Sequence, residues 1–172
     1  QILQTLAAMV EEPKGERITT ALLAGRLEVS EAGVYPHFAS NAQKFEGLIE
    51  FIEQTVFSLV NRIQADEQDA LKQVEATVAT LLGFAQKNPG MTRVLIGDAL
   101  VNEDERLQSR VNQLIDRLEA SLRQSARLAA SAGALPADWD VNAYANALIA
   151  FVVGRWHQYA KSGFKRAPME GW

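Results

Sequence analysis

The chain has 172 residues, of which 48% are hydrophobic and 22% charged, with no cysteine and a net charge of −4. This is one globular unit, or a small module fused to a larger one, without the composition of a disordered chain. The missing cysteines exclude disulfides, thiolate metal sites and cysteine nucleophiles and fit a reducing cytoplasm, while a pI near 5.3 means that any nucleic-acid binding must come from a local patch.

The first stretch, QILQTLAAMVEEPKGE, is apolar but has neither a basic leader nor a small-residue cleavage site. It reads as a helix over residues 1–12, not a signal peptide, broken by Pro13-Lys14-Gly15. Thr19 or Thr20 is a good N-cap for a second short helix through ALLAGRL. Glu28-Val29 is a turn, and Ser30 can cap a third short helix, EAGVYPHF. A long helix then starts at Ser40 or Asn41 and reaches about residue 66. Its stripe is Phe45, Leu48, Ile49, Ile52, Val56, Leu59, Val60 and Ile63, at spacings of three and four. Residues 69–87 carry Leu71, Val74, Val78, Leu81 and Leu82 on one face, and Asn88-Pro89-Gly90 ends them. A short helix is expected near residues 91–101. A long one follows over about 103–131, striped by Leu107, Val111, Leu114, Ile115, Leu118 and Leu122. After the break at Gly133-Ala134-Leu135-Pro136 comes a helix over about 140–162, in which YANALIAFVVG is apolar almost all round. Such a helix must be covered on several sides, and a subunit interface is the natural cover. No segment is long and apolar enough for a transmembrane helix, and no membrane is required. The fold class is all-α, an N-terminal three-helix module followed by a helical bundle.

Short helices in the first 40 residues and long ones afterwards suit a helix-turn-helix, whose second member enters the major groove while the first is pinned across the phosphates. Ala21, Ala24, Gly25 and Ala32 supply small residues for the helix crossing. Leu23, Leu27, Val29, Val34 and Phe38 can form the small core. Thr19 and Thr20 stand at a helix N-terminus, where hydroxyls, free amides and the helix dipole favour a phosphate. Ser30, Glu31, Tyr35 and His37 remain on or near the outer face of the third helix.

The stretch ITTALLAGRLEVSEAGVYPHFASNAQKFEGLIEF, with Tyr35, His37 and Phe38 in a tyrosine–x–histidine–phenylalanine pattern, resembles the DNA-binding module of TetR-type regulators. LGFAQKNPGMTRVLIGDAL, DERLQSRVNQLIDRLEASLRQ and SGFKRAP extend the likeness over almost the whole chain, toward the nucleoid occlusion factors of that superfamily. The resemblance implies a cytoplasmic, nucleoid-associated homodimer that binds specific sites on double-stranded DNA. When DNA-bound, it would block assembly of the tubulin-like division protein FtsZ over the nucleoid. It divides the chain into a DNA-binding module, 1–44, and a dimerisation body, 45–172, truncated at its C-terminus, where relatives add a further helix. Thr19, Thr20 and Tyr35 would then position phosphates, and Ser30, Glu31, Ala32 and His37 would lie nearest the groove. Asn41 takes a phosphate-contact position. Phe51, Gly83, Lys87 and Asn88 match the FtsZ-binding pattern, whereas Leu59 stands where an arginine is usual and Thr80 where a bulky aliphatic is.

The DNA module departs from its relatives at Glu28, Pro36 and Asn41, where glycine, arginine and lysine are usual. Between residues 17 and 45 the cations Arg17, Arg26 and Lys44 face the anions Glu28 and Glu31. Each lost phosphate contact flattens the salt dependence of binding by close to one unit. Pro36 removes an N–H, at a cost of about 3 kcal/mol in a regular helix interior and less near its end. Looser DNA recognition than in the relatives is expected.

An enzyme is not expected, and neither is a metal or other cofactor. The two histidines are His37 and His157, and no G-x-S-x-G, P-loop or H-E-x-x-H pattern occurs. The alternative is a ligand-responsive repressor whose body aromatics, Phe84, Tyr144, Phe151, Trp156 and Tyr159, line a small-molecule cavity. A dimeric interaction protein that has lost DNA binding is a third possibility.

Overall fold

Short polar side chains start most of the helices. In the computed structural model, which describes residues 2–11 and 40–172, Ser40 Oγ accepts from the Gln43 amide at 3.2 Å. Asp69 Oδ1 accepts from Leu71 and Lys72 at 3.0 and 3.3 Å. Asp104 holds the Arg106 amide at 3.0 Å, and Asp140 the Ala143 amide at 3.0 Å. Caps of this kind contribute about 0.5–2 kcal/mol each. The helices are α1 (Ile2–Glu11), α2 (Asn41–Asp66), α3 (Ala70–Lys87), α4 (Pro89–Leu95), α5 (Glu105–Ser131) and α6 (Val141–Lys161), with a 3₁₀ turn at Asp98–Leu100. Among the described residues the fold is all-α.

The short helix expected near residues 91–101 is two pieces. Asn88 ends α3, but Pro89 and Gly90 open α4 at once. Proline suits a first helical position because its missing N–H is needed by nothing there. The chain turns at Gly97, whose φ of 82° lies in the left-handed region.

The core is built from one stripe of each long helix. α2 contributes Phe45, Leu48, Ile49, Ile52, Val56 and Val60, and α3 contributes Val74, Val78, Leu81 and Leu82. α5 adds Leu107, Val111, Leu114, Leu118 and Leu122, and α6 adds Ala145, Ile149, Val152 and Trp156. Leu59, Ile63, Leu71 and Ile115 share the same periodicities but sit at the edge, half-buried.

Polar pins fix the helices in register. Arg110 on α5 makes a bidentate pair with Glu53 on α2, at 3.1 and 3.3 Å. Arg106 pairs with Glu46 at 3.0 Å, and the Arg117 guanidinium lies 4.0 Å above the Phe57 ring. Inside the bundle, Ser125 donates to Gln73 Oε1 at 3.0 Å, while Gln73 donates to the Glu67 carbonyl at 2.7 Å.

Among the described residues, helix α6 is covered on one side only. Ala145, Ile149, Val152, Trp156 and Tyr159 are buried, whereas Ala143, Ala147, Ala150 and Phe151 face outward. Trp156, 1% exposed, donates its indole N–H to the Leu81 carbonyl at 3.1 Å. Trp156→Phe removes that bond and ring volume together. Thermal or urea unfolding is expected to show a loss of about 2–4 kcal/mol.

Candidate functional site

Of the residues assigned to DNA by sequence, Thr19, Thr20, Ser30, Glu31, Ala32, Tyr35 and His37 lie outside the described residues. Asn41 is described. It is the first residue of α2, half-buried, and its Oδ1 accepts from Lys44 Nζ at 3.2 Å. Lys44 itself is only 1% exposed, which corrects its place in the charge count above. Burial pushes its pKa below the usual lysine value, against an opposing pull from Glu103.

Phe51, Gly83, Lys87 and Asn88 fall at one end of the α2–α3 hairpin. Three residues link these helices, so they run antiparallel. At 1.5 Å per residue, Phe51 lies about 22 Å from the hairpin turn and Gly83 about 20 Å, which puts them level. Phe51 is 37% exposed and so is a surface aromatic, not a core one. Gly83 is half-buried, and a Cβ added there would meet nothing within 4 Å. Lys87 is exposed in the last turn of α3, where a cation suits the helix dipole. Thr80, Gly83 and Lys87 share one helical face at spacings of three and four. Leu59 and Thr80 are half-buried.

Asn88 has a role beyond ending a helix. Its Nδ2 donates to the Phe84 carbonyl at 2.7 Å. Its own carbonyl accepts from the Thr92 hydroxyl at 2.9 Å, and that hydroxyl also lies 3.0 Å from the Ala85 carbonyl. Tyr159 donates to the Gln86 carbonyl at 2.9 Å. Burial, reinforced by Glu11, raises the Tyr159 pKa and keeps it a donor. Two residues on, α1 lies against Gly90: a Cβ there would sit 1.7 Å from the Ala7 carbonyl oxygen. Sequence reading treated Asn88-Pro89-Gly90 only as a stop signal. A glycine just inside a helix start, where no positive φ demands it, is the clue to a close backbone approach.

A groove of about 470 Å³ between α1 and the end of α6 is lined by Ala8, Glu11, Arg93, Asp98, Ala160, Gly163 and Phe164. Beside it Lys161, and secondarily Arg93, hold the Asp98 carboxylate below its usual pKa, chiefly through the 3.0 Å bond from Lys161. Among the described residues no three His, Cys, Asp or Glu side chains gather as a metal site, and no helix is long and apolar enough to cross a membrane.

This arrangement is the fold of the TetR-type regulators. PfmR from Thermus thermophilus superposes with a TM-score of 0.80, covering 98% of this chain and 91% of its own, at 20% identity. FadR from Bacillus subtilis, solved with stearoyl-CoA, superposes with a TM-score of 0.78 over 97% and 89%, at 10% identity. Residues 68–172 match the SlmA-like family, a tetracyclin repressor-like C-terminal domain. The nucleoid occlusion factor SlmA of Marinomonas sp. (strain MWYL1) is 48% identical over 172 residues, 100% of this chain and 87% of that protein. SlmA of Alteromonas mediterranea is 46% identical over 170 residues, covering 99% and 87%. The chain belongs to the SlmA family of nucleoid occlusion factors.

The buried Lys44 gives a pH prediction. Its folded pKa lies below the unfolded value of 10.5, so the unfolded chain binds more protons as pH approaches 10.5 from below. Stability therefore gains a Lys44 contribution with rising pH in that window. Unfolding followed from neutral to alkaline pH is expected to show wild type gaining on Lys44→Met as pH rises.

Proposed function

We propose that this protein binds specific chromosomal sites as a homodimer and, while bound, holds off FtsZ assembly over the nucleoid. One observation carries the reading: the alignments to nucleoid occlusion factors, at 46–48% identity, span 99–100% of this chain and so take in the body as well as the N-terminal module. Fold alone would not distinguish it, since PfmR and FadR share the architecture at 20% and 10% identity. In this reading residues 1–44 form the DNA module, with Thr19, Thr20, Tyr35 and Asn41 at phosphates and Ser30, Glu31, Ala32 and His37 at the groove. Residues 45–172 form the body, and Phe51, Gly83, Lys87 and Asn88 form the FtsZ surface. The protein acts in the cytoplasm, on the nucleoid.

The outward face of α6 supports the homodimer. Ala143, Ala147, Ala150 and Phe151 present small and apolar side chains, the composition that lets two helices approach closely and exclude water. The centre of the body is filled by Trp156, Leu81, Leu82, Leu114 and Leu118, with 0–1% exposure, and the groove of about 470 Å³ beside α1, a volume of effector size, lies outside that centre.

Sedimentation of FtsZ polymers tests the function. Protein with its DNA site is expected to reduce the polymer pellet, and Phe51→Ala to weaken that effect by about tenfold while leaving DNA affinity unchanged. Unaffected polymers would leave a plain regulator. A DNA titration between about 50 and 200 mM salt is expected to give a shallower slope than Marinomonas SlmA, by close to one unit for each missing phosphate contact. An equal or steeper slope would contradict the charge argument.

A further inference from the structure

We infer that Gly90 is the joint through which DNA engagement at the N-terminal module reaches the partner surface on α3. The inference rests on the function proposed above and deepens it. α1 belongs to the DNA module, and it seats on α4 at Gly90 so closely that an added Cβ would lie 1.7 Å from the Ala7 oxygen and 2.6 Å from its carbonyl carbon. These are backbone atoms, so no side-chain rotation could relieve the clash. A glycine inside a helix costs about 0.5–1 kcal/mol relative to alanine. Here the cost goes with direct backbone contact between two helices.

What lies behind Gly90 makes the contact consequential. Asn88 is at once the C-cap of α3 and the N-cap of α4. Thr92, fully buried, shares its one hydroxyl proton between the Ala85 and Asn88 carbonyls, at 3.0 and 2.9 Å. Asn88 Nδ2 holds the Phe84 carbonyl at 2.7 Å. The last turn of α3 and the first turn of α4 are thus one cross-bonded corner. A shift of α1 against Gly90 moves the corner as a body, and the corner carries Lys87 and Asn88, with Gly83 just ahead of it on α3. Packed interiors pass such displacements on because they have little free volume to absorb them.

The test uses the full chain, its DNA site and FtsZ, and measures a coupling factor: the ratio of FtsZ affinities with and without DNA. Linkage requires the same factor for DNA affinity with and without FtsZ. Gly90→Ala is expected to lower both ratios equally, by at least about fivefold. Thr92→Val, which leaves the α1 contact in place but removes the hydroxyl bridge, is expected to lower the coupling factor as well. Thr92→Ser, which keeps the hydroxyl, restores it. If Gly90→Ala does not fold, the Thr92 pair decides alone. An unchanged coupling factor in Thr92→Val, or in a folded Gly90→Ala, overturns the joint. So does a wild-type chain that binds DNA and FtsZ independently. A wild-type chain that binds neither removes the functional reading and the joint together.

Discussion

The last turn of α3 is the constraint on which the rest of the structure depends. A helix C-terminus leaves its final carbonyls without intrahelical partners, and buried carbonyls left unpaired cost about 1–3 kcal/mol each. Here the Asn88 side chain takes Phe84, the Asn88 amide and the Thr92 hydroxyl share Ala85, and Tyr159 takes Gln86, while Trp156 adds a bond to Leu81 one turn earlier. Two of those donors come from α6, one is the capping residue itself and one comes from α4. Satisfying this single helix end fixes where α4 starts, how α6 lies across the bundle, and where α1 can dock. The side chains that close the helix end are therefore also those that position the surfaces assigned to function.

The electrostatics divide the molecule in two. Along the α2–α5 seam, Glu46, Glu53 and Phe57 receive Arg106, Arg110 and Arg117, which ties α2 to the body over much of its length. At the N-terminal end of α2 the opposite holds: Lys44 is withdrawn into the protein beside Asn41.

Most of the fold was legible in the sequence because periodicity and caps agreed. Ser40 as a cap and a helix end near residue 66 follow from a polar starter and an apolar stripe, and both are present. The breaks at Asn88-Pro89 and Gly133 also fall where the turn residues put them. The division at Gly97, where φ is 82°, was not legible, since a lone glycine within a helical pattern is usually tolerated without breaking it. The half-burial of Leu59, Ile63, Leu71 and Ile115 depends on neighbouring helices. At the candidate site, Phe51 could not be told from a core aromatic by spacing. Lys44 read as a surface cation because its burial comes from the fold around it and not from its neighbours in sequence. The joint at Gly90 was hidden because a stop signal and a close-packing glycine are written with the same residue.

Amide hydrogen exchange on the full chain, with and without its DNA site, tests the central claim that the corner at the end of α3 mechanically joins the DNA module to the body. The account predicts altered protection in residues 84–93 on DNA binding, together with that in the N-terminal module. Changes confined to residues 1–44, with 84–93 exchanging identically in both states, would contradict it.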